Sequence, residues 1–212
     1  MMSVFGQIER HKLVPVVKIE QAANTPELVE ALLAGGLPVI EITFRTDAAE
    51  DAIRIASREF PQMLVGAGTV LTVENVDKAV AAGAKFIVAP GFNPRVVDHC
   101  LALNLPVIPG VNSPTQIEMG LERGLSVLKY FPAEASGGVK LLKAMSAPYS
   151  GVRFLPTGGI DANNLLSYLA FKQVIACGGT WFVKDELINS GKFVEIKILT
   201  QDAVRLIADM QT

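Results

Sequence analysis

Cysteine and histidine are scarce in this chain: two of each in 212 residues. Cys100 and Cys177 are too few for a disulfide framework and form no C-x-x-C pair, which fits a reducing cytoplasm. His11 and His99 lie far apart in sequence and make no ligand pattern with the cysteines, so neither metal nor other cofactor is expected. They are read as surface or helix residues. Charge is sparse too: charged residues make up 19%, the net charge is −2, and the basic residues are scattered. Nothing there favours nucleic acid. Long apolar runs are missing. The longest, residues 31–40, is interrupted by Gly35, Gly36 and Pro38 and falls short of the roughly 18 residues of a membrane span. The N-terminus has no apolar segment behind a basic start, so no signal peptide is expected.

What remains is a chain that is 50% apolar, long enough to bury one large core as a single domain over residues 1–212. Short apolar stretches at 13–17, 39–43, 64–69, 86–89, 106–109, 127–131, 153–156 and 174–177 read as strands. Amphipathic segments with start and stop signals stand between them. Thr25-Pro26 opens one and Gly35-Gly36 closes it; Asp47 and Glu50 suggest a capping box; Gly83 stops the segment 73–82. Asn93-Pro94, Ser113-Pro114-Thr115-Gln116 and Asp161 open others, and 138–146 and 193–210 complete the set. Eight strand–helix units without a linker predict an α/β fold with a parallel sheet, closed as a (β/α)8 TIM barrel. The alternative, an open doubly wound sheet, usually carries a glycine fingerprint after its first strand, and Val17-Lys18-Ile19-Glu20 has none.

In a barrel the chemistry collects at the C-terminal ends of the strands. Residues 127–132 place Lys129 in the middle of a buried strand. Taking an ammonium out of water without a partner costs on the order of several kcal/mol. Desolvation favours the neutral amine, a nucleophile that forms a Schiff base with a ketone or aldehyde. The alternative is a lysine whose stem packs while its head reaches water. In strand two a period of two puts Glu41, Thr43 and Arg45 on one face and Ile40, Ile42 and Phe44 on the other. With the apolar set against the helices, Glu41 and Arg45 point inward beside Lys129. A carboxylate there can shuttle protons for a Schiff-base reaction, or merely pair with Arg45 or Lys129. Arg45 has the fork geometry for a carboxylate or phosphate, or is a solvated strand-end residue.

Gly66-Ala67-Gly68-Thr69 lets backbone approach a ligand and offers the Thr69 hydroxyl, though tight packing calls for glycine equally well. Pro90-Gly91 and Pro109-Gly110 read as turns first and ligand walls second. Thr157-Gly158-Gly159 and Gly178-Gly179-Thr180 follow strands seven and eight, where barrels often bind phosphate through backbone N–H groups.

Read together, Glu41-Ile42-Thr43-Phe44-Arg45-Thr46, Gly66-Ala67-Gly68-Thr69-Val70, Lys129-Tyr130-Phe131-Pro132-Ala133-Glu134 and Pro156-Thr157-Gly158-Gly159-Ile160 give the chain a resemblance to the 2-keto-3-deoxy-6-phosphogluconate (KDPG) aldolases. The motifs stand in family order along the chain. The resemblance implies a homotrimeric, metal-free class I aldolase that cleaves KDPG to pyruvate and glyceraldehyde 3-phosphate, and often 4-hydroxy-2-oxoglutarate as well. Lys129 matches the Schiff-base lysine and Glu41 the general acid/base. Arg45 and Thr69 match the residues that hold the pyruvyl carboxylate, and Pro90, Thr157, Gly158 and Gly159 the substrate-lining stretches. Gly178, Gly179 and Thr180 match the phosphate loop, where threonine replaces the usual serine. Tyr130 stands in place of phenylalanine on the outward face. Other readings are a same-family aldolase for the galactonate epimer or for unphosphorylated 2-keto-3-deoxy acids, and a barrel that binds a sugar phosphate without a covalent lysine.

Overall fold

A computed structural model describes residues 2–210. Strand and helix alternate along them. The strands are β1 (Leu13–Val17), β2 (Val39–Thr43), β3 (Leu64–Gly68), β4 (Phe86–Val88), β5 (Val107–Ile108), β6 (Gly110–Val111), β7 (Val127–Tyr130), β8 (Arg153–Pro156) and β9 (Cys177–Gly179). The helices are α1 (Val4–His11), α2 (Thr25–Ala34), α3 (Ala49–Glu59), α4 (Val73–Ala82), α5 (Pro94–Ala102), α6 (Pro114–Leu121), α7 (Gly138–Ser146), α8 (Leu165–Leu169), α9 (Asp185–Asn189) and α10 (Phe193–Asp209). Six strands form a sheet in the order β5-β4-β3-β2-β1-β9, and three more pair as β6-β7-β8. Every pairing is parallel. The strands of the larger sheet are buried along their whole length, as expected of parallel strands covered on both faces. The architecture is α/β, a curled parallel sheet under helices.

Five strands differ from the expected ranges; β4 and β7 each end one residue early, and the other three differ for a local reason. Residue 69 leaves β3 because Thr69 turns to φ 53°. The run at 106–109 is divided at Pro109, which has no N–H to give to a ladder. The last strand begins at Cys177, and Val174 contributes a single bridge to Phe154.

Helix caps follow the sequence where the side chain can reach the first turn. Gln116 N–H donates to Ser113 Oγ at 3.4 Å, and Asn112 N–H donates to Gln116 Oε1 at 2.9 Å. Asn93 Oδ1 accepts from Arg95 N–H at 3.1 Å. Gly83, at φ 101°, ends α4 as expected. The capping box at Asp47 and Glu50 does not form: α3 starts behind Ala48, and Glu50 pairs along the helix with Arg54 instead. Thr25 is the first residue of α2 rather than its cap, with its hydroxyl buried and unpartnered. Asp161 Oδ1 accepts from Asn163 N–H at 2.8 Å, but α8 begins only at Leu165. Two helices have no counterpart in the sequence reading. α1, with Val4, Phe5 and Ile8 on its inner side, has eight residues and α9 has five, so each is too short for its period to stand out.

Candidate active site

The C-terminal ends of the strands surround a cavity of about 420 Å³. From β2, Glu41, Thr43 and the following Arg45 line it, while Ile40, Ile42 and Phe44 join the apolar core. The alternation expected for this strand therefore holds. Thr69, Pro90, Lys129, Thr157, Gly158, Gly159, Gly178 and Thr180 complete the residues singled out from sequence. Gly179 is the exception. A Cβ on it would fall inside the Trp181 ring, within 3.0 Å of Cη2, so its side-chain direction is taken by the indole and it does not line the cavity. In a strand only one of two adjacent residues faces a given side.

Lys129 and Glu41 form the centre of the cavity. Lys129 is 5% exposed and Glu41 not at all. Their Nζ and Oε1 atoms are 3.6 Å apart. That separation is an ion pair but longer than a hydrogen bond, and neither Glu41 oxygen has a hydrogen-bond partner among the described residues. Both carboxylate oxygens therefore keep their full accepting capacity. The lysine stem is buried and its head opens only onto the cavity. Its backbone N–H is held by the Pro109 carbonyl at 2.9 Å, and its Nζ sits 5.2 Å from the centre of the Phe131 ring. At 3.6 Å and largely buried, the two groups interact more strongly than a surface pair would.

The other side chains differ in how free they are. Thr43 donates its hydroxyl to the Val17 carbonyl at 2.8 Å, so it ties β2 to β1 rather than facing a ligand with a spare donor. Thr157 Oγ1 is buried and unpartnered. Among the described residues, no carboxylate lies within ion-pair distance of Arg45, whose guanidinium stands exposed at the cavity rim. Thr69 holds a left-handed φ, which a β-branched residue adopts at a cost of about 1–3 kcal/mol. That turn carries Thr69 from the end of β3 onto the cavity wall. Gly158 and Gly159 have φ of 101° and 77°, open to glycine without strain. Their loop is fixed from outside: the Thr157, Gly158 and Gly159 carbonyls accept from Ala133 N–H, Glu134 N–H and Asn164 Nδ2 at 2.8, 3.0 and 2.8 Å. Tyr168 in turn donates its hydroxyl to the Glu134 carboxylate; burial and that bond raise the phenol's pKa, so it stays a donor. Tyr130 packs outward, fully buried, as expected.

Val16, Phe131 and Ile160 also line the cavity and were not singled out. Phe131 was within reach, since it follows Lys129 by two on the same strand face. The cysteines stay outside the chemistry: burial pushes the Cys100 thiol up to about 11 and raises that of Cys177 further, so both remain protonated at neutral pH.

The family described as "Aldolase: KDPG and KHG aldolase" matches residues 4–199. The 2-dehydro-3-deoxy-phosphogluconate aldolase of Treponema pallidum (strain Nichols) is 47% identical over 99% of this chain and 100% of its own length. That of Haemophilus influenzae is 46% identical over 96% of both chains. The crystal structure of KDPG aldolase from Legionella pneumophila, with pyruvate captured at low pH as a covalent carbinolamine intermediate, has 37% identity and a TM-score of 0.90. It covers 93% of this chain and 96% of that one. A lysine and a carboxylate brought together in a cavity at the strand ends, and likeness along nearly the whole length, agree: the chain belongs to the KDPG and KHG aldolase family.

Proposed function

We propose that this chain is a class I aldolase that cleaves KDPG to pyruvate and glyceraldehyde 3-phosphate, the reaction of the Entner–Doudoroff pathway. 4-Hydroxy-2-oxoglutarate is a second substrate, giving pyruvate and glyoxylate. The observation that carries this reading is the buried Lys129–Glu41 pair at 3.6 Å, facing a cavity with room for a small keto acid. Glu41 takes a proton from Lys129, whose free amine adds to the C2 carbonyl; the acid then returns that proton to the carbinolamine hydroxyl, which leaves as water and gives an iminium. Glu41 takes the proton of the C4 hydroxyl. The C3–C4 bond then breaks, its electron pair enters the iminium to form the pyruvate enamine, and the aldehyde leaves. Protonation of the enamine at C3 and hydrolysis release pyruvate and the free lysine.

Arg45 and Thr69 hold the pyruvyl carboxylate in this reading, the guanidinium through a charge-assisted pair. Pro90, Thr157, Gly158 and Gly159 line the carbon chain. Gly178 and Thr180 sit at the phosphate end, and Gly179 contributes at most its backbone there. The strands close into a (β/α)8 barrel. Closure is supported by the parallel bridges Phe154–Val174 and Thr157–Gly178 between the β8 and β9 stretches, and by β5 and β6 being one chain run on either side of Pro109. The family likeness extends the proposal to a homotrimer acting in the cytoplasm without a metal. No helix among the described residues is long and apolar enough to cross a membrane.

Incubation with pyruvate and borohydride tests the covalent step: a reduced pyruvyl group is expected on Lys129, read by peptide mass. Labelling of a different lysine, with Lys129 unmodified, would falsify the assignment. The phosphate end has its own test. Thr180→Val keeps the shape but removes the hydroxyl, and a hydrogen bond to a charged group is worth about 1.5–3 kcal/mol. KM for KDPG should rise about tenfold or more, while KM for 4-hydroxy-2-oxoglutarate, which has no phosphate, should stay put. Equal changes for both substrates would move the phosphate away from Thr180.

A further inference from the structure

The four residues with buried, unpartnered side-chain oxygens among those described are Thr25, Glu41, Ser57 and Thr157. Only Glu41 and Thr157 face the cavity. Both side chains lie over the Cα of a glycine on the neighbouring strand, Gly68 and Gly178. A Cβ built on Gly68 would come 2.7 Å from Glu41 Cγ and 2.8 Å from Cδ, and closer still to Oε1. A Cβ built on Gly178 would stand 3.1 Å from Thr157 Cγ2 and 3.2 Å from Cβ, with Oγ1 nearer yet. Neither glycine has a left-handed φ, so the backbone at both positions would accept alanine. What excludes a side chain there is the functional group lying over each Cα. Gly66, two residues earlier on β3, makes the contrast. The space over it is filled by the Phe86 ring, an apolar packing contact.

Register explains why Glu41 lies on Gly68. Glu41 is paired with Gly66 across the β2–β3 ladder, and Thr43 with Gly68. The Glu41 side chain therefore leans one pleat toward the C-terminal end of the strands, where Lys129 Nζ is 3.6 Å away. A methyl at 68 would occupy the carboxylate's seat and push the group out of reach of the amine. With no hydrogen bond to anchor it, the carboxylate depends on this seat for its position.

We propose that Gly68 and Gly178 are positioning residues, each required because Glu41 and Thr157, respectively, must lie across it to meet the substrate. The inference rests on the aldolase reading of Glu41 and deepens it. Misplacing a reacting group by about 1 Å can cost on the order of 10²-fold. Gly68→Ala should accordingly lower kcat for KDPG about 10²-fold, with KM changed less than about threefold. The decisive measurement is a double-mutant cycle of Gly68→Ala with Glu41→Ala, reading turnover and melting temperature together. Once the carboxylate is gone the methyl has room, so Gly68→Ala should cost the Glu41→Ala enzyme less than about twofold more. Gly178→Ala and Thr157→Ala should show the same non-additivity. If Gly68→Ala alone fails to fold, the double variant should melt where Glu41→Ala does, because the clash has been removed. Additive losses, full activity in Gly68→Ala, or a double variant that melts well below Glu41→Ala alone would each overturn the positioning role. An active Glu41→Ala is a different result: it removes the catalytic reading of Glu41 itself.

Discussion

Lys129→Met is expected to lower KDPG turnover by at least about 10⁴-fold, because methionine keeps the apolar stem and removes the nucleophile on which the covalent route depends. The same change exposes the second role of the amine. Glu41 is fully buried, and Lys129 is the cation within ion-pair reach of it. Removing one partner of a buried pair costs about 3–5 kcal/mol when it leaves a charge uncompensated. Lys129→Met should therefore melt well below the parent, and Lys129→Met combined with Glu41→Gln should recover much of that loss. Pyruvate and borohydride should add nothing to position 129 in either variant. Turnover within tenfold of the parent would end the covalent proposal, since no other lysine among the described residues lines the cavity.

Glu41→Gln is the second large effect. Glutamine fills the same space over Gly68 and can still hydrogen-bond, but it cannot take a proton, so turnover should fall about 10²–10⁴-fold. Retro-aldol cleavage needs a base for the C4 hydroxyl, and iminium formation and hydrolysis need protons moved at oxygen and nitrogen. One carboxylate within reach of the lysine can serve these steps in turn. Lys129 should still be trapped by pyruvate and borohydride in Glu41→Gln, only more slowly. Near-normal turnover across pH would reduce Glu41 to an ion-pair partner.

The residues of this site were unequally legible. Glu41, Thr43 and Arg45 could be placed on one face because β2 alternates them with Ile40, Ile42 and Phe44, and a period of two has only two phases. Lys129 stood out because it is charged within an apolar strand. Val16 could not be placed, since in a parallel sheet covered on both faces an apolar residue looks the same whichever way it points, and Ile160 lies in the loop behind β8, where no strand period applies. Gly178 and Gly179 posed the same problem without side chains: the choice between cavity and Trp181 is made by the register of β9 against β1. The Asp47–Glu50 box failed for a related reason, because Glu50 had a competing partner four residues along the helix in Arg54.

The sequence by itself determined the alternation of strand and helix, the strand ends at which chemistry could gather, and the inward phase of the acid and the lysine. These are properties of single segments, set by periodicity, proline, glycine and caps. The tertiary structure alone decided that Glu41 and Lys129 stand 3.6 Å apart without a hydrogen bond, that Thr43 is tied to Val17, and that Gly68 forms the carboxylate's seat. Those depend on how β2, β3 and β7 are brought together by a curled sheet and its packed helices. A segment's own period reports which way a side chain points, but it carries no measure of the distance to a side chain on another strand.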